Sequence, residues 1–216
     1  MVPAGSQDLG FSQKLGGYAM TNAELLRSRQ VDTLPPPGPC PTIETRRLVL
    51  RPQRLADAGS IAESLSDFAV TRMLARVPAP YYRQDALEWL ILRTSGTLPD
   101  WDFAITRDDD TLIGVVSVEF RHGEWHLGYW LNRFYWGKGY MTEAVSGVVE
   151  RFFRRMPTAT MHSGVFADNP GSLRVQEKLG FRITGCHETY AVSRAAMVAH
   201  LDTVLAAEDF VPSRPR

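Results

Sequence analysis

Apolar residues recur along this chain at two spacings, and the switches between them lay out its elements. Leu48, Val49 and Leu50 form a short apolar run within residues 46–52, closed by Pro52, which predicts a strand. Leu55, Ala58, Ile61, Ala62 and Leu65 follow at steps of three and four with Asp57 in the first turn, which predicts a helix. Residues 66–83 keep neither period and end in Pro78-Ala79-Pro80-Tyr81-Tyr82, whereas residues 84–94 return to helical spacing. Residues 101–106 and 112–120 read as strands joined by an Asp-rich turn, and residues 125–131 extend the meander after Gly123-Glu124. A glycine loop comes next, then a helix over about 140–155, a strand over 160–166 and a helix over about 170–179. Two strands near 181–189 and 197–206 finish the pattern. The order β-α-α-β-β-β-α-β-α-β-β predicts one α+β domain, a mixed central sheet of about 6–7 strands flanked by about 4 helices.

The domain is expected over residues 42–210, with a tail at 211–216. Residues 1–41 mix Gly, Ser, Gln and Pro and end in Leu34-Pro35-Pro36-Pro37-Gly38-Pro39-Cys40-Pro41. This predicts a flexible or loosely docked N-terminal arm, a packed or dimer-exchanging arm being the alternative. A short helix over residues 23–29 is expected within it, and Met20 offers a second start of translation.

Composition narrows the function classes. The 24 Lys and Arg balance the 24 Asp and Glu, so no overall field holds the chain on nucleic acid or on an anionic membrane. No apolar run reaches the roughly 18 residues of a membrane span, and the N-terminus lacks a secretory signal pattern. The two cysteines, Cys40 and Cys186, are far apart and share no metal-binding spacing with histidine. The expectation is a cytoplasmic protein without metal, disulfide framework, nucleic-acid partner or membrane partner, acting as a monomer or homodimer.

The chemistry gathers in Gly128-Tyr-Trp-Leu-Asn-Arg-Phe-Tyr-Trp-Gly-Lys-Gly-Tyr-Met-Thr-Glu-Ala144, where a strand passes through a loop holding Gly137 and Gly139 directly into a helix. Met141, Ala144, Val145, Val148, Val149, Phe152 and Phe153 give that helix one buried face. Its N-terminus carries unpaired N–H groups and about half a positive charge, and glycines beside it admit a bulky anion, with Lys138 adding charge. A phosphate or pyrophosphate is the expected ligand; a tight strand-to-helix turn is the plainer explanation of the glycines alone. The P-loop is excluded because Asn132 stands at its first glycine and Gly139 follows Lys138. The dinucleotide fingerprint fails at Thr142, where its third glycine belongs.

A second cluster follows, Asp168-Asn-Pro-Gly-Ser-Leu-Arg-Val-Gln-Glu-Lys-Leu-Gly-Phe181. With the first cluster and the opening Glu44-Thr-Arg-Arg-Leu-Val-Leu-Arg51, it resembles the GNAT superfamily of N-acetyltransferases, most nearly the ribosomal-protein N-terminal acetyltransferase (Rim-type) branch and its small-molecule relatives. The likeness runs over about residues 44–189. It implies acetyl-CoA as co-substrate, with pyrophosphate on the backbone of Trp136, Gly137, Lys138, Gly139, Tyr140 and Met141 and with Thr142 closing the helix start. Trp136 replaces the family's usual Gln or Arg, and Met141 its small final residue. The likeness also implies that pantetheine enters a splay between the strand ending at Trp130-Leu131 and the 160–166 strand. Asn169 would contact pantetheine, Ser172 would face the thioester sulfur, and Lys178 would belong to the same site. The acceptor would be a primary amine, at a protein N-terminus or on a small molecule.

The family's tyrosine acid falls at Gln176, which cannot donate such a proton, so the serine-using branch is the better analogy and Ser172 becomes the acid. A backbone N–H near Leu131 is the expected oxyanion donor. Glu188 is the nearest match to the branch's carboxylate base, although Ala191 can occupy that place. Glu119, Glu124, His126, His162 and a water chain compete for the role. Tyr129, Trp125, Trp130 and Phe134 read as packing rather than as a base-stacking platform. Tyr81, Tyr82 and Trp101 fit either the acceptor side or packing, Asp108–Asp110 a turn, and Cys186 a buried thiol. Two other functions stay open: a protein that holds coenzyme A without turnover, and an interaction scaffold.

Overall fold

In the computed structural model, which describes residues 37–213, eight strands form one mixed sheet in the order β1-β2-β3-β4-β5-β6-β8-β7. They are β1 (Ile43–Glu44), β2 (Val49–Pro52), β3 (Trp101–Thr106), β4 (Leu112–Arg121), β5 (Glu124–Leu131), β6 (Thr160–Phe166), β7 (Arg182–Ala191) and β8 (Ala196–Ala206). The helices among these residues are α1 (Ala58–Ser66), α2 (Phe68–Thr71), α3 (Arg83–Arg93), α4 (Tyr140–Arg155) and α5 (Pro170–Leu179). All neighbouring strands run antiparallel except β5 and β6. The expected helix over 23–29, the second start at Met20 and most of the arm lie outside the described residues.

Two elements exceed the expected number. The predicted first strand is a small hairpin, because Thr45 N–H and Oγ1 both bond the Leu48 carbonyl (2.9 and 3.1 Å) and fold β1 back on β2. Within the stretch expected to be irregular, Asp67 accepts from Ala69 N–H at 2.9 Å and caps the four-residue α2, which is too short to show a period.

The faces of the sheet differ. Against one, α4 buries Met141, Ala144, Val145, Val148, Val149, Phe152 and Phe153, and α5 buries Leu179. Phe152 stands edge-on to Trp101 and to Trp125, with centroids 5.9 and 5.3 Å away. Trp101 is fully buried there, which removes it from the acceptor side. Against the other face, α1 and α3 pack Ala58, Ile61, Leu65, Ala86 and Leu90 onto Ala104, with Trp130 and Tyr81 at the margin. Gly180 ends α5 in the left-handed region (φ 97°) and turns Phe181 into the core, which accounts for the Leu-Gly-Phe sequence.

Polar groups are buried in pairs. Arg51 forms a two-pronged bond to Asp57 (2.9 and 2.8 Å) and reaches Asp110 at 2.6 Å, so Asp110 is an ion-pair partner as well as a turn residue. Pro37 and Pro39 carbonyls accept from Arg155 (2.7 and 3.1 Å) and Gly38 accepts from Trp101 Nε1 (2.8 Å), tying the start of the described chain to the domain. In the expected tail, Val211 N–H bonds Leu179 O and Ser213 N–H bonds Ser146 Oγ. Cys186 is exposed, not buried as expected, because β7 is the sheet's outer strand. No described helix is long and apolar enough to cross a membrane.

Candidate active site

The site forms where β5 and β6 part. Their parallel ladder consists of two rungs, Trp125–Met161 and His126–His162, after which the pairing ends. One further tie, Ser163 Oγ to Leu127 O at 2.9 Å, bridges the strands just beyond. Backbone groups alternate sides along a strand, so Tyr129 and Leu131 turn their N–H and C=O toward the gap, as Leu127 does. The Leu131 carbonyl accepts from Trp136 Nε1 at 2.7 Å, which folds the loop back over the strand end.

Above the gap, α4 starts at Gly139 (φ 77°), and Gly137 is also left-handed (φ 74°). No side chain caps this helix, and a Cβ on Gly137 would meet nothing within 4 Å. The N–H groups of its first turn thus have no side-chain cap, and a groove of about 930 Å³ beside them is lined by Arg46, Arg47, Lys138 and Lys178 together with Glu44 and Glu143. Met141, which stands where the family has a small residue, turns its side chain into the core. Lys138 Nζ is folded onto Phe134 O at 3.0 Å, and the Arg47 guanidinium lies 4.5 Å over the Tyr140 ring.

Glu143 fixes this helix start to the β1–β2 turn. Its carboxylate accepts from Thr45 Oγ1 (2.8 Å), Arg47 N–H (2.8 Å) and Arg47 Nε (2.7 Å). Although burial opposes ionisation, these bonds together hold Glu143 below the usual carboxylate range. The folded state thus takes up the proton at lower pH than the unfolded chain, so this stabilisation is complete above the ordinary value and is lost as pH falls below it. Glu143→Gln should lower stability by about 1–2 kcal/mol at neutral pH and flatten the acid limb of a denaturation series. An acid limb identical to the parent's would remove this role.

At the mouth of the gap, Asn169 Oδ1 accepts from Ser172 N–H at 3.1 Å and caps α5, so that oxygen is already engaged in the role of a cap. Ser172 Oγ lies 2.9 Å from the hydroxyl of Tyr129, a residue read from sequence as packing. Burial pushes the Tyr129 phenol up to about 12. Gln176, at the place of the family's tyrosine, is buried and bonded to Ser163 and Thr203 (3.0 and 2.7 Å). The pairing of positions 129 and 172 joins β5 to α5, and no local spacing could have signalled it.

The base candidates fall in separate places. Glu188 is exposed on β7 opposite Ala199 and makes no side-chain hydrogen bond or ion pair among the described residues. Two strand spacings separate β7 from β6, about 10 Å. Glu119 is enclosed by Arg93, Arg76 and Arg121, whose charges overcome burial and lower it to about 2, which disqualifies it as a base near neutral pH. His126 and His162 form the last rung before the gap, with Glu124 3.6 Å from each, and burial lowers His126 to about 4.

The family described as Acetyltransferase (GNAT) domain matches residues 47–182. The chain is similar to "Uncharacterized N-acetyltransferase p20" of Bacillus licheniformis, with 25% identity over 162 residues covering 73% of this chain and 91% of that protein. Among solved structures, the fold is similar to the ribosomal-protein-S5-alanine acetyltransferase from Vibrio fischeri (TM-score 0.67, 21% identity, 79% of this chain and 99% of that one). It is also similar to Mycobacterium smegmatis RimJ in complex with CoA-disulfide (TM-score 0.66, 21% identity, 78% and 88%). The matched span takes in the glycine loop, the parting strands and Ser172, and the chain belongs to the GNAT family of acetyltransferases.

Proposed function

We propose that the protein moves the acetyl group of acetyl-CoA onto a primary amine, at a protein N-terminus or on a small molecule, by direct attack on the thioester. The parting of β5 and β6 beside the uncapped start of α4 carries this reading, since it puts an anion cradle next to a slot whose β5 edge has no strand partner. The N–H groups of Gly137–Thr142 suit the pyrophosphate, with Trp136 bracing the loop. Trp130 and Leu131 border the pantetheine slot, Asn169 edges it, and Lys178 supplies charge near the phosphates.

The amine lone pair attacks the carbonyl carbon, the carbon–sulfur bond breaks, the nitrogen gives up a proton and the sulfur takes one. Ser172 is the hydroxyl donor for the sulfur. Tyr129 is a positioning residue: a phenol held near 12 keeps its proton at neutral pH and orients the Ser172 hydroxyl. The amine's proton leaves toward the face carrying α1 and α3, where His126 and His162 stand at the fork. Glu188 would take it only through intervening water.

Ser172→Ala should lower kcat about a hundredfold with CoA affinity unchanged, and Tyr129→Phe about tenfold. Because Tyr129 acts through Ser172, the double variant should be no slower than Ser172→Ala. Undiminished turnover in Ser172→Ala removes the acid, and additive losses remove the positioning role. The general test is thiol release from acetyl-CoA with N-terminal peptides, polyamines, amino acids and aminoglycosides, products being weighed by mass spectrometry. Binding without turnover across that panel would refute the transfer.

A further inference from the structure

Apart from the acetyl-transfer site, the β7–β8 hairpin gathers two imidazoles and a carboxylate on one face. His187 Nδ1 lies 3.0 Å from Asp202 Oδ2, His200 Nδ1 lies 3.4 Å from Asp202 Oδ1, and the ligand atoms all fall within 4.8 Å of one another. Ligand atoms 2.0–2.2 Å from a tetrahedral ion are separated by about 3.3–3.6 Å, and the two imidazole–carboxylate contacts, one to each oxygen of Asp202, are close to that spacing.

Register and sequence make the room. Asp202 is flanked by Gly164 on β6 and Gly185 on β7, and His200 stands opposite His187. A Cβ on Gly164 would collide with the His200 ring, and one on Gly185 would sit 3.1 Å from Asp202 Oδ2.

Two further observations point to a cation. His200 Nδ1 is buried with Asp202 Oδ1 3.4 Å away and makes no well-formed hydrogen bond, and a buried nitrogen left in that state calls for a ligand. On the other ring, His187 Nε2 lies 2.8 Å from Thr189 Oγ1, the outer hydrogen bond that fixes a metal-ligating imidazole. In the metal-free protein a His187 Nδ1–H can donate to Asp202. Metal binding places the ring proton on Nε2, where Thr189 accepts it.

We infer that His187, His200 and Asp202 bind one Zn²⁺, or a similar divalent ion that favours imidazole, with the fourth position open to solvent. Nitrogen and carboxylate ligands without a thiolate favour this class over a soft ion, and two imidazoles argue against Mg²⁺ or Ca²⁺. The ion would join the outer strand β7 to β8. Contiguous Cys and His spacing gave no sign of it, because the hairpin register brings together residues that are distant in sequence.

The test is Zn²⁺ titration of the full chain after chelator treatment, read by a competing chromophoric chelator and by thermal unfolding. The expected result is one equivalent bound at about 1 µM or tighter, with Tm raised by about 5–10 °C at hundredfold excess. His187→Ala, His200→Ala and Asp202→Asn should each weaken binding at least about tenfold, and His162→Ala should leave it unchanged. His187 is exposed, so its variant keeps the test valid if His200→Ala does not fold. Co²⁺ in place of Zn²⁺ should give the intense visible bands of four-coordination. No bound equivalent, undiminished binding in the His187 and Asp202 variants, or binding lost with His162 would overturn the site.

Discussion

Gly139→Val should weaken coenzyme A binding at least about a hundredfold, measured by calorimetry, while the chain still folds. Gly139 occupies φ 77° at the first position before α4, a region that a β-branched residue enters only with strain. A Cβ there would meet only the guanidinium end of Arg47, at an ordinary contact distance of 3.5 Å, so the protein offers no steric reason for the fold to fail. The loss falls on the ligand: the loop shifts to relieve φ, and the added methyls stand where phosphate oxygens must approach the backbone. Gly137→Ala supplies the graded control. Its Cβ meets nothing, so it should lose about tenfold through the left-handed conformation alone. Parent-like affinity in Gly139→Val, with an unchanged Tm, would show that phosphates are held elsewhere.

Arg93→Met should cost about 3–5 kcal/mol and lower Tm by about 6–20 °C. Arg93 ends α3 and is buried among Asp100, Asp102 and Glu119, at 2.9, 3.0 and 2.6 Å. Asp100 also accepts from Phe120 N–H, and Asp102 from Ser117 Oγ at 2.6 Å, so the cluster joins α3 to β3 and β4. Methionine keeps much of the stem's packing but leaves carboxylates buried without their shared cation. Asp102, raised to about 6 mainly by burial, should respond first by taking up a proton. Consequently Asp102→Asn in the Arg93→Met background should recover part of the loss. A Tm within about 2 °C of the parent would show that Arg76 and Arg121 suffice. In the parent, Glu119 is held near 2, below the unfolded value, so its stabilisation is complete above about 4.5 and is lost as pH falls toward 2. Urea titrations across that range check the sign.

The two predictions differ in how much of their basis could be read from the chain. Gly139 announces itself locally, because a strand, two glycines and an amphipathic helix follow one another without interruption. Arg93 does not: nothing near it in sequence shows that three carboxylates from β3, β4 and the segment between α3 and β3 converge on it. The same contrast separates Gln176 from Tyr129. The missing tyrosine at position 176 is visible by inspection, whereas the hydroxyl beside Ser172 comes from a strand 43 residues away.

By itself, then, the sequence determined the order and kind of the main elements and the glycine loop at the start of α4. Each of these is governed by interactions within a few residues, through the two periodicities, the freedom of glycine at positive φ and the unpaired N–H groups of a helix end. Only the tertiary structure decided that Ser172 meets Tyr129, that Glu143 anchors Arg47, that Glu119 is locked in an ion cluster, and that His187, His200 and Asp202 share one face. Those relations depend on strand register and on which helix covers which face. Packing of the whole sheet sets both, and short stretches of chain carry no trace of them.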